Sequence, residues 1–341
     1  MPHDAGTNRQ VLLKSRPSGI PQAEHFELAD GPMPQPKDGQ VLVRNVFLSV
    51  DPAMRGWVNA AANYSDPVPL GGVMRSLAAG RIVSSRHPDY RAGDLVSGWF
   101  GWQDYAAVDP QAIDARIPDA SLPLSAWLGV LGLNGVTAYF GLLEIGQPAG
   151  GETVAVSTAA GAVGSCVGQI AKIKGCRTVG IAGGSRKTRL CLDEFGYDAA
   201  IDYKGDDLDA ALASACPQGI DVYFDNTSGP ISDAVMRHLR VGARVVICGT
   251  ASIANWDPLP QGPRVERHLL VKRARMQGFV VMDYRARYPE AQAALSQWVR
   301  ENRIRYREDV LEGIEQAAGA IAGLYRGDNL GKRLIRIAQD G

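Results

Sequence analysis

The chain has 341 residues, 45% hydrophobic and 21% charged, with 36 Lys plus Arg matching 36 Asp plus Glu. That length suits two domains of about 100–200 residues each, and the balanced charge gives no global pull toward nucleic acid or an anionic membrane. No apolar run approaches the roughly 18–20 residues that span a bilayer, and the opening MPHDAGTNRQVL is not a signal peptide pattern, so a cytoplasmic protein is expected.

Residues 1–130 offer short β-like runs at 11–14, 41–50, 81–85 and 95–99, separated by Gly and Pro such as Pro32, Pro34, Pro36, Gly71, Gly72 and Gly93. Regular punctuation of this kind predicts an antiparallel barrel or sandwich. From about Gly150 the rhythm becomes strand, glycine-rich turn, helix. Strands are expected at 153–157, 177–182, 200–201, 221–224, 243–248 and 276–282, and helices at 165–174, 208–215, 231–239 and 289–300. This alternation predicts an α/β fold with a doubly wound parallel sheet. A last strand pattern at 330–338 could return to the first domain.

Five cysteines, at 166, 176, 191, 216 and 248, form no Cys-x-x-Cys pair, and their odd number argues against a disulfide framework. The turn Ala159-Ala160-Gly161-Ala162-Val163-Gly164 follows a strand and opens a helix. It is a variant of the dinucleotide fingerprint with Ala in the first glycine position. Gly161 would let the backbone approach a pyrophosphate, and Gly164 would let helix and strand pack closely. The bland alternative is an ordinary tight βα turn. An NAD site would place an acid roughly twenty residues on. Here the strand ends in Gly183-Gly184-Ser185-Arg186-Lys187. Small residues beside a hydroxyl and two cations suit a 2′-phosphate, so NADP(H) is the expected cofactor. Arg186 and Lys187 could instead be solvated charges at a helix start.

Several ordered segments carry a family resemblance. They include Leu48-Ser49-Val50-Asp51-Pro52-Ala53-Met54-Arg55-Gly56, Gly135-Val136-Thr137-Ala138-Tyr139-Phe140, the phosphate turn, Ile201-Asp202-Tyr203-Lys204, Tyr223-Phe224-Asp225-Asn226, Gln277-Gly278-Phe279 and Gly327-Asp328-Asn329-Leu330-Gly331-Lys332. The chain resembles the medium-chain dehydrogenase/reductase superfamily. More narrowly, it resembles the zinc-independent branch of leukotriene B4 dehydrogenases/prostaglandin reductases, plant alkenal double-bond reductases and bacterial curcumin-type reductases. The resemblance implies a β-rich GroES-like domain at 1–130, completed by about 304–341, and a Rossmann NADP-binding domain at 131–303. It implies cofactor contacts at Gly161, Ala162, Val163, Tyr203, Asn226, Cys248, Phe279 and Asn329. The family's 2′-phosphate lysine is displaced by one position, so Arg186, Lys187 or both would substitute.

Zinc chemistry needs three or four clustered ligands. The sequence has no cysteine before Cys166 and only His87 between residues 26 and 237, so no metal is expected. Without zinc, polarising a carbinol oxygen is difficult. An enone asks for less: hydride adds to the β-carbon, hydrogen-bond donors hold the enolate oxygen, and the α-carbon takes a proton. The resemblance implies this chemistry, with a ribose hydroxyl and a tyrosine as donors. The position of that tyrosine reads Ala254 here. Tyr64 is the candidate donor instead, against the reading of a rim aromatic that only packs. Met54 and Arg55 are expected at the substrate near the nicotinamide, although Arg55 could be a buried structural ion pair. Trp256 could narrow or close the substrate pocket, or belong to the core. The basic stretch from Gly262 to Arg275 reads as solvated or subunit-facing. Expected partners are therefore a small enone or enal and a second copy of the chain, with no nucleic acid and no membrane. A quinone reductase, an alcohol/ketone oxidoreductase or a non-catalytic NADP-binding protein stay open as alternatives.

Overall fold

The computed structural model describes residues 6–118, 121–253, 258 and 260–339, so Ala254 and Trp256 lie outside the described residues. The chain divides into two compact units, one of residues 1–129 with 308–341 and the other of residues 130–307.

The first unit begins with β1 (Thr7–Leu13), β2 (Phe26–Pro32), β3 (Val41–Ser49), α1 (Met54–Trp57), β4 (Ala78–Ser85), β5 (Leu95–Gly98), β6 (Tyr105–Val108) and β7 (Ile113–Arg116). In β3 every residue except Arg44 is buried. A run without alternation is what a strand covered on both faces requires. Antiparallel neighbours β4 and β6 both pair with β3. The register shifts between Asn45 and Phe47, and opposite it a Cβ on Gly80 would sit 2.1 Å from the Arg44 carbonyl oxygen. Glycine is therefore obligatory where the bulge brings the two backbones together.

The second unit contains α2 (Leu133–Phe140), β8 (Thr153–Ser157), α3 (Ala162–Ile173), β9 (Arg177–Ala182), α4 (Ser185–Asp193), β10 (Ala199–Asp202), α5 (Leu208–Ala215), β11 (Ile220–Asp225), α6 (Gly229–Arg237), β12 (Leu239–Ile247), α7 (Glu266–Lys272), β13 (Arg275–Gly278) and α8 (Tyr288–Arg300). Its six strands are all parallel, in the order β10-β9-β8-β11-β12-β13. The central strands β8 and β11 are buried throughout. From β8 the chain steps outward to β9 and β10, then crosses back to β11 on the other side. The order reverses between β8 and β11, which is where a doubly wound sheet binds its ligand.

The chain finally returns to the first unit as β14 (Glu308–Glu312), α9 (Ala317–Arg326) and β15 (Lys332–Arg336), with β15 antiparallel to β3. The Lys332 ammonium is buried there and reaches Ser49 Oγ at 2.7 Å and Asp51 Oδ1 at 2.6 Å. Both partners lie at the end of β3, so this ion pair ties the chain's last strand to the segment that opens α1.

Among the expected boundaries that move, three show a physical reason. The strand expected at 276–282 stops at Gly278, because β12 ends at Ile247, the partner of Gly278, and among the described residues nothing further pairs with it. The helix expected at 231–239 stops at Arg237, because Leu239 already pairs with Ile220 as β12 begins. The helix expected at 165–174 starts three residues earlier, at Ala162, with Gly161 as its extended N-cap.

Candidate active site

The turn between β8 and α3 is built by backbone constraint. Thr158 takes a left-handed φ of 53°, Gly161 N–H donates to the Thr158 carbonyl at 2.8 Å, and the chain then enters α3. A Cβ on Gly164 would lie 2.3 Å from the Thr158 oxygen and 2.9 Å from the Ala159 Cα. No side chain fits there, so the first turn of α3 stays close to the strand end. The amides of Ala162, Val163 and Gly164 open that helix without intrahelical acceptors, and the helix dipole adds partial positive charge, a donor set made for phosphate.

On the other side of the switch point, Ser228 is also left-handed, with φ 57°. Strained residues at both strand ends mark a backbone held for function rather than for local comfort. The organiser on the Ser228 side is Asp225, buried at the end of β11. Its Oδ1 accepts from the amides of Thr227 at 2.9 Å and Ser228 at 2.8 Å and from the Tyr223 hydroxyl at 3.1 Å, while Oδ2 accepts from Ser232 Oγ at 2.5 Å. Sequence reading passed over Asp225 as part of a motif. Its position at the last residue of a buried strand was the available signal. Asn226 then closes the switch point: its Nδ2 donates to the Ser157 carbonyl at 2.7 Å and its N–H to Ser157 Oγ at 2.8 Å. Cys248, just past β12, donates its N–H to the Asp225 carbonyl at 2.8 Å. Burial, with Asp225 adding to it, pushes the Cys248 thiol up to about 12, so it stays protonated near neutral pH. Phe279 follows β13, and its ring packs where a Cβ on Gly141 would come within 2.5 Å.

The ends of β9 and β10 form a second patch in the same unit. Gly184, with φ 88°, is the N-cap of α4, and Ser185 and Arg186 are exposed at its start with Lys187 half-buried. Asp202, the last residue of β10, does not present itself as a ribose acid. Its Oδ1 is engaged by the amides of Gly184 at 2.7 Å and Lys204 at 3.0 Å. Tyr203 is 41% exposed. A Cβ on Gly183 would come within 3.0 Å of both the Tyr203 ring and the Lys204 Cε, so an acidic side chain at residue 183 has no room. Lys204 thus joins Ser185, Arg186 and Lys187 as a cation at this patch. Sequence reading quoted it in a motif but gave it no role, because the next strand's end comes close only in the folded sheet.

The remaining expected site residues belong to the first unit. Met54 is fully buried in its core, packed among residues such as Val50, Trp57 and Met74. Arg55 is 7% exposed, and its Nη1 donates to Asn59 Oδ1. Burial draws its guanidinium below the ordinary value, with Tyr325 opposing that shift. Tyr64 is 53% exposed. Asn329, beyond α9, donates its Nδ2 to the Gly331 carbonyl at 2.7 Å. Among the described residues no group of three or more His, Cys, Asp or Glu is placed to hold a metal, and no helix is long and apolar enough to cross a membrane.

Comparison with known proteins decides the family. A model described as the N-terminal domain of oxidoreductase matches residues 9–115, and one described as zinc-binding dehydrogenase matches residues 162–297. The NADPH-dependent curcumin reductase of Escherichia coli (strain K12) is 46% identical over 340 residues, covering 98% of each chain. The chain belongs to the medium-chain dehydrogenase/reductase superfamily, in its zinc-independent branch. A 2-alkenal reductase (NADP(+)-dependent) of Nicotiana tabacum is 36% identical over 340 residues, again covering 98% of each chain. The crystal structure of CurA in complex with NADPH from Vibrio vulnificus superposes with a TM-score of 0.92 at 44% identity, covering 97% of this chain and 99% of that one. The second family description mentions zinc, yet this chain has no cysteine before Cys166 to build the usual ligand set.

Proposed function

We propose that this chain is an NADPH-dependent reductase of the carbon–carbon double bond of α,β-unsaturated ketones and aldehydes. End-to-end likeness to reductases of that kind carries the reading, and the form of the dinucleotide site supports it. The residues present fit the cofactor. The first-turn amides of α3 and the glycines Gly161 and Gly164 would hold the pyrophosphate. Gly184, Ser185, Arg186, Lys187, Tyr203 and Lys204 would hold the 2′-phosphate by charge-assisted hydrogen bonds. Ala162, Val163, Asn226, Cys248, Phe279 and Asn329 would complete the contacts. When bound, NADPH supplies a hydride for the substrate's β-carbon.

The chain's own part is to hold the carbonyl oxygen as it gains negative charge. Tyr64 is proposed as a donor to that oxygen, and Met54, Arg55 and Trp256 as residues that shape its surroundings. A proton from water completes the α-carbon. Such donors act by being aimed before the reaction begins, so that little reorganisation is needed as charge develops.

The proposal includes a homodimer joined through the parallel sheet. Strand β13 is an edge of that sheet and exposes all four of its residues. Beside it, Leu270 on α7 is 78% exposed and Val271 52%. An open edge flanked by apolar side chains invites a second copy.

The deciding experiment is NADPH oxidation with a small enone and an enal, NADH in parallel, and product analysis by NMR. A saturated ketone or aldehyde with preference for NADPH is the expected result. An allylic alcohol, or turnover of quinones alone, would overturn the reading.

A further inference from the structure

The second unit holds a cavity of about 560 Å³ that the reductase chemistry does not use. Residues 216–219, which lead into β11, line it together with residues 237–241, which lead from α6 into β12. Lys272, the last residue of α7, contributes a third element. Strands β11 and β12 begin at this cavity and end at the dinucleotide turns, so the two places lie at opposite ends of the parallel sheet. A ligand here leaves the cofactor's place free. The loop before β11 is shaped by Gly219, whose φ is 85°. A Cβ there would stand 2.7 Å from the Arg240 Cγ and 3.0 Å from the His238 carbonyl oxygen, so only glycine lets the Arg240 stem lie across that loop.

Among the described residues the lining carries Arg237, His238, Arg240 and Lys272 and no carboxylate. Two acids outside the lining hold part of this charge. Asp209 accepts from Arg237 Nε at 3.0 Å and lies 2.8 Å from His238 Nε2, and Asp221 lies 3.1 Å from Arg240 Nη1. Arg237 is used up, since its Nη1 donates to the Asp233 carbonyl at 3.1 Å. Arg240 keeps Nε and Nη2 uncommitted, and Lys272 makes no hydrogen bond or ion pair among the described residues. Helix ends explain some of these cations, because Arg237 and Lys272 close α6 and α7, where positive charge offsets the carbonyl end. Arg240 belongs to a strand and falls outside that explanation. The other walls are apolar: Leu239 is buried, Val241 is 59% exposed, and Pro217 lies on the loop before β11. Cavities of roughly 300–1,000 Å³ take small organic ligands, so there is room for more than an inorganic ion.

We propose that this cavity is a second ligand site, for a small phosphate monoester with an apolar body. Lys272 and Arg240 hold the phosphate by charge-assisted hydrogen bonds, and Pro217, Leu239 and Val241 cover the apolar part. A dianion matches two cations that both have donors to spare. A carboxylate leaves one of them unmatched, and inorganic phosphate leaves the apolar wall in water.

The test is calorimetric titration of hexyl phosphate into the full chain saturated with NADPH, so that the dinucleotide site is filled before the anion is added. Saturable binding of one hexyl phosphate per chain is expected, with hexanoate and inorganic phosphate clearly weaker. Lys272→Gln removes an ammonium that no described protein group uses, and Val241→Glu sets a carboxylate on the cavity wall. Each should weaken hexyl phosphate by about tenfold or more, the usual scale for losing a charge-assisted hydrogen bond. The NADPH Kd and the thermal midpoint should stay at their wild-type values. The two variants lie on different elements, α7 and β12, so a folding defect in one leaves the other to decide. Absence of saturable binding would overturn the site, as would unchanged affinity in either variant that keeps the wild-type midpoint. Equal affinity for hexanoate would overturn the phosphate assignment, and equal affinity for inorganic phosphate the apolar one.

Discussion

At the scale of single residues, the cofactor site depends on what is small and what is charged. Gly164→Ala would place a methyl 2.3 Å from a backbone oxygen that cannot step aside. Overpacking of that kind costs about 1–3 kcal/mol, so a lower thermal midpoint together with weaker NADPH binding is expected, read by calorimetry and fluorescence titration. The basic residues at the start of α4 should act on cofactor choice instead. Replacing Arg186 and Lys187 by Ala should raise the KM for NADPH tenfold or more, since each charge-assisted bond is worth about 1.5–3 kcal/mol. The KM for NADH should stay within twofold. Equal losses for both cofactors would show that these side chains do not read the 2′-phosphate.

At the scale of elements, the parallel sheet is held at both ends by buried or half-buried charge. Asp225 gathers the start of the turn after β11, and Asp225→Asn would leave several donors without their acceptor. An unsatisfied buried group costs about 1–3 kcal/mol. The expected signature is a loss of stability with a larger loss of NADPH affinity, because the turn that carries Asn226 is the part released. At the opposite end, Arg244 on β12 forms a two-pronged bond with Glu152 just before β8, at 2.9 and 2.5 Å. Those hydrogen bonds hold the Glu152 carboxyl below its ordinary range. A depressed carboxyl contributes stability that is complete above the unfolded value, about 4.3, and is lost as pH falls through the folded one. Urea midpoints measured from pH 6 down to pH 3 should therefore fall less steeply for Glu152→Gln than for wild type. Parallel curves would remove the pair from the acid response.

At the scale of the whole molecule, the exposed edge β13 and its neighbours Leu270 and Val271 bear on assembly. Light scattering should return the mass of two chains, and Leu270→Glu with Val271→Glu should shift it toward one while each chain stays folded by circular dichroism. A wild-type mass of one chain would sink the dimer. The fold itself was largely legible beforehand: the alternation from Thr153 onward announced a parallel sheet, and the Gly and Pro punctuation before it announced short strands. Elements whose signals were weak escaped notice. Helix α9, AAGAIAGLYR, carries two glycines that blur its period, and β2 ends in Asp-Gly-Pro, which reads as a turn.

What the sequence by itself determined is the kind of chemistry and the frame for it. The spacing of Gly161 and Gly164 after a strand, the absence of an acid at residues 183–187 and the absence of cysteine before Cys166 are local properties, readable one residue after another. Tertiary structure alone decided which distant groups share a place. Lys204 meets Gly183 because β9 and β10 pair in register, Asp225 serves the turns after β11 and β12 because those strands pair, and Lys332 finds Asp51 because β15 pairs with β3. Sequence order records none of these encounters, since contact across a sheet or between a helix and a strand depends on pairing and packing, not on separation along the chain.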